Sequence, residues 1–209
     1  MKILVACEES QAVTKEFRKL GHEAYSCDIL ECSGDYPEWH IKGDALRVAY
    51  GEHWDMMIAH PPCTFLSNAG ARFLYPKKKL NKDRLVKGLE AKGFFMSLLT
   101  APIDKIVVEN PLASSIFNLP KCTQVIQPFE YGHPFKKRTQ LWIKGLPNLM
   151  PTEIVEVSES TKVAGNWFNK GGKDRQRNRS KTFPGIAKAM AEQWGKSDNQ
   201  IEEIWESRK

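Results

Sequence analysis

The sequence predicts an α/β domain built on a mostly parallel sheet with helices on both faces. Short apolar runs alternate with stretches of helical periodicity, the rhythm of successive βαβ units. Ile3–Ala6, Met56–Ala59 and Ile106–Val108 are apolar throughout, as strands buried on two faces require. A length of 209 residues suits one such domain, and residues 1–209 are read as a single unit.

The elements follow in order. Ile3–Cys7 reads as the first strand, and Gln11–Leu20 as a helix with Val13, Phe17 and Leu20 on its inner face. Gly21 stands where a left-handed residue ends a helix. Glu23–Cys27 is the second strand, ending at Asp28, and an irregular stretch through Pro37 and Gly43 leads to a short helix near Ala45–Tyr50. Met56–Ala59 is a strand; Lys82–Thr100 is a long helix with Leu85, Leu89, Phe94 or Phe95, and Leu98 inward. Lys105–Glu109, Gln124–Phe129 and Gln140–Lys144 read as further strands. Thr182 can cap a closing helix whose Ile186, Met190 and Trp194 fall at four-residue spacing, most simply as core.

Composition narrows the classes. Hydrophobic residues make up 41% and charged residues 27%, and no apolar stretch approaches the roughly 20 residues of a helical membrane span. The chain enters its first strand at once, so no signal peptide is expected. Five cysteines, an odd number with no C-x-x-C pair, argue against a disulfide framework or a structural zinc site. A reducing cytoplasm, no metal and no membrane partner are the expectations. The net charge is +6, and residues 162–181 hold seven basic side chains against Asp174 alone, an excess equal to the whole. Trp167 and Phe168 interleave aromatic surface with Arg175, Arg177 and Arg179, which favours a nucleic-acid partner over a merely solvated loop. A second basic cluster comprises Lys77, Lys78, Lys79, Lys82, Arg84 and Lys87.

Two strand ends carry reactive groups. The run Trp54–Ala59 leads into His60-Pro61-Pro62-Cys63, and Lys105–Val108 leads into Glu109-Asn110-Pro111. Each places a thiol or a carboxyl group beyond the carboxyl end of a strand, where open α/β sheets bind ligands, and prolines restrict the backbone beside it. A nucleophile with a nearby acid is the apparatus of covalent catalysis. His60 reads either as pocket lining or as a structural histidine.

Pro61-Pro62-Cys63 with Ser67 after it, followed by Glu109-Asn110-Pro111, resemble the two catalytic motifs of DNA (cytosine-5)-methyltransferases, in the short single-domain variety that phages often encode. Tyr131-Gly132-His133-Pro134 leading to Lys136-Lys137-Arg138 looks like that family's basic motif after the sixth strand. Thr182-Phe183-Pro184-Gly185-Ile186-Ala187 looks like its C-terminal motif, which packs back against the cofactor site. The likeness runs over most of the chain. It implies a Rossmann-like class I methyltransferase fold, S-adenosylmethionine as cofactor, DNA as partner and a monomer. Residues 146–181 would be a short basic loop in place of a target-recognition domain, so that affinity comes from phosphates and sequence selectivity is low.

Roles follow from the same likeness. Cys63 would add to C6 of cytosine, Glu109 would bind N3 and the exocyclic amine, and Arg138 would complete the catalytic set. Amino-group methyltransferases carry an aromatic residue after the two prolines, whereas a cysteine there favours methylation of carbon. A cytosine inside a duplex would have to be flipped out to reach the site. Asp28 is placed to hold ribose hydroxyls, or is a turn residue. Asp44 would meet the adenine amine, or cap a helix. The turn Cys7-Glu8-Glu9-Ser10 contains no glycine, so cofactor contact there falls to side chains such as Glu8 or Ser10. Cys7, Pro61 and Pro184 complete the cofactor set; Ser67, Lys136, Lys137, Trp167, Arg175, Arg177 and Arg179 form the nucleic-acid set. Two alternatives stand beside this reading: the same chemistry on RNA or a free cytosine nucleotide, and a catalytically silent nucleic-acid-binding protein on the same scaffold.

Overall fold

The structure, a computed structural model, describes residues 1–157 and 181–196. Seven strands form one sheet: β1 (Lys2–Ala6), β2 (Glu23–Asp28), β3 (His40–Lys42), β4 (Met56–Ala59), β5 (Lys105–Pro111), β6 (Gln124–Ile126) and β7 (Thr139–Lys144). The described helices are α1 (Ala12–Lys19), α2 (Ala45–Gly51), α3 (Asn68–Ala71), α4 (Lys82–Leu99) and α5 (Pro184–Trp194). The strand order is β3-β2-β1-β4-β5-β7-β6. β1 to β5 pair in parallel, while β7 runs antiparallel to both β5 and β6. Without β7 the order 3-2-1-4-5-6 is that of a doubly wound sheet.

Side chains alternate across the sheet and build two cores. Ile3, Val5, Met56, Ile58 and Val107 meet Val13 and Phe17 of α1 and Ile186, Met190 and Trp194 of α5. Leu4, Ala6, Met57, Ala59, Ile106 and Val108 meet Ala45 and Ala49 of α2 and Phe95 and Leu98 of α4. Each face therefore has its own helical cover. Among the described residues no helix is long and apolar enough to cross a membrane.

Several sequence expectations need correction. Leu20 is 49% exposed because α1 has ended by then, its inner face being Val13, Thr14 and Phe17. Leu89 is 55% exposed; α4 turns Gly88, Phe95 and Leu98 inward instead, and a Cβ on Gly88 would lie 2.0 Å from the Phe117 ring. The stretch after Asp28 contains a strand, β3, pairing with β2 at the sheet edge. β6 stops at Ile126, before a 3-10 turn over Pro128–Glu130. Thr182 does not cap α5: the N-cap position is Phe183, with Pro184 in the first turn.

Candidate active site

β4 and β5 are adjacent and parallel, with Ala59 opposite Val108, so both strands deliver their next residues to one rim of the sheet. The His60–Cys63 segment leaves the sheet there, beside Glu109-Asn110-Pro111, which continue β5 along β7. The loop after Cys63 is then laced to the segment after β5. Ser114 N–H donates to Leu66 O at 2.8 Å, Asn68 N–H donates to Leu112 O at 2.9 Å, and Ser67 forms a bridge with Ala113. Ser67 is buried and donates its amide to Cys63 O at 3.0 Å. Pro61 is buried, Pro62 exposed and Cys63 half-buried, with its sulfur in no disulfide.

Arg84 of α4 grips the same loop. Its Nη2 donates to Thr64 O and to Gly70 O, both at 3.0 Å, and its guanidinium lies over the Phe65 ring at 4.8 Å. Gly70 sits so close to Thr64 that a Cβ would stand 2.0 Å from its carbonyl oxygen. The sequence reading counted Arg84 only as charge. Its loop-bracing role had no signal beyond its place in a basic cluster.

Glu109 shares the α1/α5 face of the sheet with Val107. Its Oε2 lies 3.6 Å from His60 Nδ1, with the two side chains 18% and 8% exposed. Burial alone would raise the Glu109 carboxyl, but His60 beside it and the Lys137 charge outweigh that and hold it below the usual glutamate range. His60, Glu109, Lys137, Thr139, Lys181, Thr182, Phe183 and Ile186 surround a cavity of about 20 Å³. That is room for one water and too little for a pyrimidine. Cys63 is not among the residues lining it. Lys137 rather than Arg138 faces Glu109; Lys136 and Arg138 are exposed.

Thr182 and Phe183 close this cavity and are joined to the Tyr131–Pro134 segment. His133 Nε2 accepts from Gly185 N–H at 2.9 Å, and a Cβ on Gly185 would stand 2.0 Å from Tyr131 O. Burial depresses His133 below the usual histidine range, against the opposing pull of Glu153, and an unprotonated ring nitrogen is what accepting that bond demands. The two looser motifs of the sequence reading are therefore one packed unit.

At the β1–β2 end of the rim, three expected cofactor residues cluster: burial first, then Asp28 and Asp44, raise the Cys7 thiol. Cys27 is pushed up to about 12 by the same causes. Neither thiol is a nucleophile in that setting. Asp28 is half-buried and Oδ1 accepts from Leu30 N–H at 2.9 Å, leaving Oδ2 without a partner among the described residues. Asp44 is exposed and caps α2 through Leu46 N–H at 2.8 Å, the capping alternative of the sequence reading. Ser10 is half-buried and Pro184 exposed, and both border a groove of about 1030 Å³ beside α1.

Glu8 is where the turn departs most from a cofactor cradle. Gln11, at φ 59°, begins α1 without a side-chain cap of its own. Instead, Glu8 Oε1 accepts from Val13 N–H at 2.7 Å, and Oε2 accepts from Thr14 N–H at 3.3 Å and from the Thr14 hydroxyl at 2.7 Å. The helix amides that would receive an anion are filled by the chain's own carboxylate. Beside Asp28 Oδ2, Ile29 and Leu30 expose apolar surface at 74% and 53%.

Trp167, Arg175, Arg177 and Arg179 lie outside the described residues. No protein-family model matches the chain, and no curated protein matches it in sequence.

Proposed function

We propose that the protein methylates C5 of cytosine in DNA, with low sequence selectivity, through a covalent Cys63 adduct on a Rossmann-like class I methyltransferase scaffold. The observation that carries this reading is the shared rim: the parallel, adjacent β4 and β5 set the start of the Cys63 loop, at His60, beside Glu109. S-adenosylmethionine, when bound, supplies an electrophilic methyl group.

The chain's residues do the rest. Cys63 Sγ, as thiolate, forms a bond to C6, which makes C5 nucleophilic. Glu109, ionised at neutral pH, accepts from the exocyclic amine and from N3 once that nitrogen is protonated, which selects cytosine. After methylation the C5 proton leaves to water, and the Cys63–C6 bond breaks as the ring double bond returns. Entry of the base requires Thr182 and Phe183 to move away from Glu109, because the cavity between them is smaller than a pyrimidine. Asp28 Oδ2 would hold the ribose of the cofactor.

The test is to incubate the protein with labelled S-adenosylmethionine and DNA, RNA or dCMP, and to identify the modified nucleoside. Label in 5-methylcytosine from DNA is the expected result; DNA containing 5-fluorocytosine should form an adduct that Cys63→Ser abolishes. Label in RNA or dCMP instead moves the substrate, and no label in any of them overturns the enzymatic reading. One observation favours the silent nucleic-acid-binding alternative, namely the occupation of the α1 amides by Glu8. A tight DNA complex that never transfers methyl would establish it.

A further inference from the structure

His60 has a chemistry that the reaction above leaves unused. Its N–H donates to Ala6 O at 2.9 Å, extending the pairing of β4 with β1 by one residue. Pro61 after it disfavours a helical backbone at His60. The side chain accordingly follows Met56 and Ile58 onto the face where Val107 and Glu109 project. There the imidazole is 8% exposed, and both ring nitrogens are buried without a hydrogen-bond partner among the described residues. Each unmet buried polar group carries a desolvation cost that a phenylalanine filling the same space would not carry. Around the cavity the charged groups are Glu109 of β5, Lys137 before β7 and Lys181 before α5, with hydroxyls from Thr139 and Thr182.

We propose that His60 is a positioning residue for Glu109: Nδ1 orients the ionised carboxylate toward substrate and is the proton reserve on which it draws. The pairing stands on geometry alone; its use in catalysis rests on the cytosine reading above. A movement of less than about 1 Å turns the 3.6 Å contact into a hydrogen bond. The step balances. As the Cys63 Sγ–C6 bond forms, the C5=C6 electron pair shifts into the ring and raises the basicity of N3. N3 takes a proton that passes from His60 Nδ1 through the Glu109 carboxylate, leaving the imidazole neutral and the carboxylate ionised. Once C5 carries the methyl group N3 is acidic again, and the proton returns by the same two atoms before the Sγ–C6 bond breaks.

Two variants separate position from charge. His60→Phe keeps bulk and removes both nitrogens, while His60→Asn sets an amide nitrogen near the place of Nδ1 but does not titrate. Carbon-13 NMR of the Glu109 carboxyl should show its titration moved upward in His60→Phe, since burial is then opposed by Lys137 alone; an unchanged midpoint overturns the pairing. In methyl transfer, His60→Phe should lose roughly tenfold to hundredfold in kcat with little change in KM. His60→Asn should recover most of that loss at neutral pH, while its kcat varies less with pH than that of the wild type. Identical pH profiles for wild type and His60→Asn overturn the proton-reserve role. If the wild type methylates nothing, the cytosine reading fails, while the carboxyl titration still decides the pairing.

Discussion

Glu8 Oε2 and the Thr14 hydroxyl stand 2.7 Å apart inside the first turn of α1, a carboxylate folded back onto the helix that its own turn introduces. Glu8 thus has a structural duty in this arrangement, whatever contact it makes with a cofactor. Glu8→Ala would strand the Val13 and Thr14 amides in a buried setting. The protein should lose roughly 1–3 kcal/mol of stability, read from urea denaturation. A variant as stable as wild type but weaker in cofactor binding would return Glu8 to the cofactor site.

Arg84 holds Thr64 and Gly70 together across the loop that carries Cys63. Because the bonds are partly exposed, Arg84→Ala should cost only about 1 kcal/mol globally. Locally the effect should be larger. Amide hydrogen exchange over residues 63–70 should accelerate, and adduct formation with 5-fluorocytosine DNA should slow, while Arg84→Lys repairs neither because a lysine cannot span both carbonyls and stack on Phe65. Unaltered exchange across that loop would show that something else braces it.

Gly185 touches the Tyr131 carbonyl so closely that any side chain must push α5 away from the Tyr131–Pro134 segment. Gly185→Ala should destabilise by about 1–3 kcal/mol through overpacking. The same displacement should lift Phe183 from the cavity, giving higher accessibility of Glu109 to solvent in hydrogen-exchange or labelling experiments. Wild-type stability in this variant would mean that the contact relaxes freely.

His133 supplies a pH dependence of defined sign. Its folded form holds a proton more weakly than the unfolded form, burial being the main cause. Its contribution to stability is therefore complete above the ordinary histidine value of about 6.5 and is lost as pH falls below it. His22 is depressed by burial too, and acts in the same direction. Urea midpoints should decline from pH 7 to pH 5, and the decline should be shallower in His133→Gln. A midpoint that rises on acidification would contradict the assignment. The Glu109 carboxylate enters only at lower pH, since a depressed carboxyl loses its contribution as pH falls below the ordinary value of about 4.3.

Much of this was legible in the residues. Continuous apolar runs identified β1, β4 and β5, and prolines marked the carboxyl ends of β4 and β5. What escaped has physical reasons. β3 is three residues, His40-Ile41-Lys42, too short and polar to register as a periodic run. The reversal of β7 was invisible because alternation along a strand has no direction. Leu89 fits a helical stripe by spacing, yet Phe117 packs over Gly88 and rotates the inward face. In the site, the hydrogen bonds of Glu8 were not foreseen because its partners are amides five and six residues ahead, beyond a left-handed Gln11 that sequence patterns do not announce. Lys137, not Arg138, faces Glu109 because the residues entering β7 alternate with Thr139 and Leu141, and Leu141 stands opposite Glu109 in the register.

The direction of that one strand decides where positive charge arrives. β7 enters the sheet at Thr139, opposite Pro111, and leaves at Lys144, opposite Ile106. Six residues of strand cover about 20 Å. Had β7 run the same way as its neighbours, its leading lysines would have been delivered to the opposite end of the molecule, a full strand's length from the carboxylate. A hairpin-like return thus brings cations to the rim beside Glu109 with no crossover helix needed to carry them there.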